Sequence, residues 1–147
     1  MAQGNERNGA DTAHWIERLK QPRAMETLHP VAARFIHALR LIAIHARAGR
    51  DPTAELALRL GSMAVAVKAL QLVDSIGASW PEPLQLRRFC CRVLSHDEAT
   101  IAALLEAAWH NRQDQFELQF DGLLGPVRCQ RLWADCVDLI ACEAAQA

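Results

Sequence analysis

Residues 30–49 read PVAARFIHALRLIAIHARAG, and this stretch decides the fold class. Ala32, Phe35, Ile36, Leu39, Ile42, Ala43 and Ala46 recur at intervals of three and four, the period that lines one face of an α-helix. Pro30 suits the first helical position, where its missing N–H is no loss, and Gly49 suits the stop. Leu41 and Ile44 fall outside the stripe, so the apolar surface is wider than a single core-facing stripe requires. That helix is therefore either central or shared with a partner.

The same period continues downstream. Asp51 and Pro52 form a good helix start, and Leu56, Leu60, Met63, Val67 and Leu70 follow at four-three spacing, which predicts a long helix over 53–76 with a bend at Gly61 and Ser62. Leu58, Val65, Ala69 and Leu72 occupy its other faces, so it is expected to be buried nearly all round, at the centre of a bundle. The segment GASWPEP, residues 77–83, carries two prolines that forbid a continuous helix, and Trp80 is expected to fold back onto the core. Leu86, Phe89, Cys90, Val93 and Leu94 then predict a further amphipathic helix. Ser95 and Glu98 have the spacing of a capping box that starts the next one, whose inner face is Ile101, Leu104, Leu105 and Ala108. Phe116 and Phe120 lie in a short segment, and after Pro126 a last helix shows Cys129, Leu132, Trp133, Cys136, Val137 and Ile140 on one face.

Upstream, residues 1–11 are rich in Gly, Asn and charge. Asp11 could cap a short helix carrying Trp15, Ile16 and Leu19 before Pro22. The expected organisation is a polar arm over 1–22, partly disordered, followed by one helical domain over 23–147. No alternating run of the strand kind and no solenoid repeat stands out. The expectation is an all-α fold, a compact bundle of five or six helices around a long, largely buried central helix.

Composition narrows the function classes. With 147 residues, 51% apolar and 22% charged, the chain can hold one hydrophobic core by packing alone. A formal charge of -1 supplies no field toward nucleic acid or anionic membrane, and neither a DNA-binding helix pair nor a basic patch with interleaved aromatics is evident. The N-terminus lacks the apolar run of a signal peptide and the longest nearly apolar stretch, 60–67, is far too short to span a bilayer, so a cytoplasmic protein with reduced thiols is expected. Gly-rich phosphate loops, the nucleophile elbow and the His-Glu-x-x-His metal motif are missing, so nothing in the pattern argues for an enzyme and no cofactor is expected.

Three constellations carry chemistry worth weighing. In RRFCCRVLSHDE, residues 87–98, a helix would place Cys91 on a cationic face with Arg87, Arg88 and Arg92, the route to a reactive thiolate, and leave Cys90 as an inert small hydrophobe on the apolar face. Neighbouring Cα atoms across a trans peptide lie about 3.8 Å apart, below the roughly 4.4 to 6.8 Å of disulfides, so the pair is not expected to bond. Cys91, His96 and Asp97 are also the nearest approach to a metal-ligand cluster, though Cys-x4-His needs a further ligand, and His29, His37 and His45 are spaced by eight and form no row. Arg87, Arg88 and Arg92, joined by Arg34, Arg40, Arg47 and Arg50, could bind an anion. Solvated helix surface explains the arginines equally well and explains Cys91 better than a reactive thiol or a metal ligand does, and Cys129 and Cys136 read as core.

The segment FCCRVLSHDEA, residues 89–99, with ARFIHALRLIAIHA before it and FDGLLGPVRC after it, resembles a family of short bacterial helical proteins of unassigned function. The resemblance implies a helical fold and carries no activity. The reading that the residues favour is a small helical binding or regulatory protein that buries a helix face against a partner, most simply a second copy. The alternatives are a thiol or metal site at Cys91, His96 and Asp97, and an anion site at Arg87, Arg88 and Arg92.

Overall fold

The computed structural model describes residues 21–120 and 122–146, and the short helix expected around Trp15 lies outside them. A 3-10 turn at Met25–Thr27 leads into six α-helices: α1 (Pro30–Arg47), α2 (Thr53–Leu60), α3 (Met63–Ser79), α4 (His96–Trp109), α5 (Gln113–Leu118) and α6 (Pro126–Gln146). The expected helical bundle is present, with six α-helices and no strand among the described residues.

Helix α1 begins and ends where its sequence directs. Pro30 opens it, the His29 side chain accepts from the Val31 N–H at 3.2 Å, and Gly49 follows in a left-handed conformation. The expected helix over 53–76 is divided. Gly61, at φ 76°, ends α2, Ser62 in extended conformation caps α3 by accepting from Val65 N, and the helix axis bends by 119° between the two. A glycine in the left-handed region closes a helix without the Cβ clash that other residues suffer there, and the serine behind it reopens one. The resulting elbow lets α2 fold over α1 while α3 lies along α6.

The central helix is consequently α4 rather than the 53–76 segment. It packs against α1, α5 and α6 and buries Ile101, Ala102, Leu104, Leu105, Ala107 and Ala108. The main core gathers these with Phe35, Ile36 and Leu39 of α1, Leu72 and Ile76 of α3, Phe116 of α5 and Leu132 and Trp133 of α6. A smaller cluster of Ala38, Leu41, Leu56 and Ala66 sits under α2. Leu41, which lay outside the α1 stripe, is covered by α2, not by a partner.

Among the described residues, no single helix is long and apolar enough to cross a membrane.

Candidate functional site

The segment from Trp80 to Ser95 holds most of the residues singled out by sequence, and it is not helical. Its local pattern differs from the expected one. Leu84 and Leu86 are half-buried against the core while Gln85 and Arg87 between and after them are exposed, an alternation of period two. Val93 bridges antiparallel to Ala24, with Met25 N donating to Arg92 O at 2.7 Å and Leu94 N to Arg23 O at 2.8 Å.

Arg40 of α1 explains why the segment stays open. The side chain is 1% exposed, and each of its five N–H groups has an acceptor. Nε donates to Glu98 Oε2 at 2.6 Å and Nη2 to Glu98 Oε1 at 3.0 Å. Nη1 donates to the carbonyls of Phe89 and Cys91 at 3.3 and 2.7 Å, and Nη2 to that of Val93 at 3.2 Å. Three carbonyls that a helix would pair within itself are thus taken by one guanidinium. Glu98, 0% exposed, completes the expected capping box: Ser95 N donates to its Oε1 at 2.9 Å and Glu98 N donates to Ser95 Oγ at 3.1 Å. Burial pushes the Glu98 carboxyl up, but the hydrogen bonds from Arg40 and Ser95, together with the Arg40 charge, hold it below its ordinary value.

These facts reassign the cysteines and arginines. Cys91 N donates to Arg88 O at 2.9 Å, so the doubled cysteine lies in a turn, with Cys90 exposed and Cys91 half-buried, the reverse of their helical placement. The helix that was to set Cys91 among Arg87, Arg88 and Arg92 does not form. The three arginines are exposed on the open segment, and Arg40 is committed to Glu98. Cys129 is half-buried and Cys136 is buried on α6, and burial pushes both thiols up, in keeping with packing roles.

His96 and Asp97 do meet in one place, a cleft of about 540 Å³ between the first turn of α4, the Trp80–Gln85 connection and the loop after α5. Asp97 is fixed there by Trp80 Nε1 at 3.2 Å and Gln85 N at 2.8 Å. Ser95 Oγ also donates to Gln85 O, so the cap of α4 and the cleft wall share one network. Cys91 does not join them, and among the described residues no three His, Cys, Asp or Glu side chains are grouped to hold a metal ion.

The elbow of α2 and α3 is a site of another kind. Leu58 is 84% exposed, Met63 55% and Val67 41%, and Ile44 at the end of α1 is also exposed. Met63 and Val67, four apart, share one edge of α3. Ala54, Gly61 and Ala64 are the small residues exposed with them, and the charges nearby are Arg59, paired with Glu55, and half-exposed Lys68. Sequence reading placed Met63 and Val67 in the core because it took the two helices as one.

No family model, curated protein or solved structure matches this chain.

Proposed function

We propose that this chain is a cytoplasmic helical binding protein that acts through protein contact, and that its first partner is a second copy of itself joined at the α2–α3 elbow. The observation that carries the reading is the exposure of Leu58, Met63 and Val67 at the elbow, where Arg59 and Glu55 are paired with each other and Lys68 is half-exposed. Large apolar groups left in water gain roughly 25 cal/mol for each Å² they bury. With Arg59 and Glu55 offsetting each other, little net charge opposes the meeting of two copies across a two-fold axis. Gly61 and Ala64 leave room for close backbone approach.

The test is sedimentation equilibrium over a concentration series. A dimer is expected, with Leu58→Asp and Val67→Asp shifting it to monomer while the melting temperature of the monomer is unchanged. A wild type that stays monomeric at about 1 mM lacks even weak specific association and overturns the reading.

A further inference from the structure

The cleft beside α4 sets the outer side of the core ring Trp80 next to two carboxylates. Trp80 is only partly buried, and its ring is held in place by the Asp97 carboxylate. It stands nearly perpendicular to Phe120, with centroids 6.1 Å apart and an interplanar angle of 79°. Pro83 adds an apolar wall, and Glu82 places a second carboxylate at the exposed rim. Among the described residues, His96 is the one side chain lining the cleft that can become cationic, and it has no positively charged neighbour in that lining. The positive end of the α4 dipole is already met by Asp97 and Glu98 in its first turn.

We infer that this cleft binds an organic cation, an alkylated ammonium group attached to an apolar body. The ring quadrupole of the partly exposed Trp80, backed by buried Phe120, attracts a cation that is too weakly hydrated to prefer water, as an alkylated ammonium is. Glu82 supplies formal negative charge at the exposed rim, Asp97 on the wall keeps the α4 dipole from opposing a cation, and the volume of about 540 Å³ exceeds what the ammonium group alone would fill. Asp97 keeps its orientation without a ligand because two N–H donors hold it, so the site is organised before binding. The same charges turn away carboxylates and phosphates.

Titration followed by the indole N–H resonance of Trp80, assigned through Trp80→Phe, tests the inference with three probes: benzyltrimethylammonium, neutral benzyl alcohol and anionic phenylacetate. Benzyltrimethylammonium is expected to shift the resonance saturably, at least tenfold more tightly than phenylacetate. Glu82→Gln, at an exposed position, is expected to weaken it roughly two- to fivefold, the range of a single exposed charge pair. Leu58→Ser at the elbow should leave it unchanged, which separates this site from the self-association surface. Equal affinity for phenylacetate or benzyl alcohol overturns the inference, and so does the absence of a saturable shift at about 10 mM of the cation.

Discussion

The contact of α1 with the segment before α4 and the elbow of α2 with α3 invert the ordinary placement of residue types. At the first, an arginine and a glutamate are buried with every donor of the guanidinium matched to an acceptor. At the second, leucine, methionine and valine face water. The first arrangement is self-contained, since a buried charge with all partners supplied asks for nothing further from solvent. The second is unfinished, since apolar surface gains by being covered. The contrast separates what holds this fold from what is available for binding.

Removing one partner of the buried pair is the largest perturbation expected. Arg40→Met takes the guanidinium donors from the buried Glu98 carboxylate, which keeps only backbone donors, and from three carbonyls, and should destabilise by about 3–5 kcal/mol in urea unfolding. The double variant Arg40→Met/Glu98→Leu should lose less than the sum of the two single losses, because the stranded charge is then gone. A single-variant loss under about 1 kcal/mol would mean that the network follows the fold instead of holding it. The pair also sets a pH dependence. Because the folded carboxyl is held below its ordinary value of 4.5, its contribution is fully present above that value and is lost as pH falls through the folded pKa. Glu98→Gln should therefore flatten the acid limb of the stability curve, which unfolding at successive pH values below 4.5 would measure.

The smaller cluster under α2 tests the elbow from below. Leu56 is fully buried there with Ala38, Leu41 and Ala66, so Leu56→Ala should cost about 2–5 kcal/mol, the cavity range for a leucine. If α2 is only loosely seated, the site can collapse and the loss falls to the bottom of that range. Hydrogen exchange would then show α2 amides opening ahead of those in α4. One step down in size, Ser95→Ala removes the α4 cap that is shared with the cleft wall and should cost about 1 kcal/mol. The Asp97 contacts to Trp80 and Gln85 should loosen with it, visible as a shifted Trp80 indole resonance.

Helix starts and stops were legible where a local rule decides them. Pro30, Gly49, the Ser95 capping box and Pro126 each act within one turn of chain, and each stands where its spacing placed it. The segment before Ser95 was not legible, because Leu86, Phe89, Cys90, Val93 and Leu94 imitate the helical period. What overrides the imitation is Arg40, about fifty residues away, and no local pattern reports that its side chain would claim the carbonyls of Phe89, Cys91 and Val93. A weaker signal was present: Leu84, Gln85, Leu86 and Arg87 alternate just after two prolines, which is the mark of open chain. The cleft was half visible. His96 and Asp97 were singled out as possible ligands of a metal, but their companions are Trp80 and Phe120, brought together by tertiary packing, and Cys91 stands apart.

The smallest effect expected on stability bears most directly on the comparison. Leu58 is exposed and sits above the Leu56 cluster without belonging to it, so Leu58→Ser should change unfolding free energy by no more than about 0.5 kcal/mol in dilute protein. Its partner residue two positions back, Leu56, should differ by several-fold in the same measurement although the substitution chemistry is similar. At high concentration the two states of the comparison separate further. Wild type should gain stability with protein concentration, as mass action requires when the folded state associates, and Leu58→Ser should not. A Leu58→Ser loss as large as that of Leu56→Ala in dilute protein would mean that the elbow is part of the monomer's core. The exposed leucine would then have no surplus to offer a second copy.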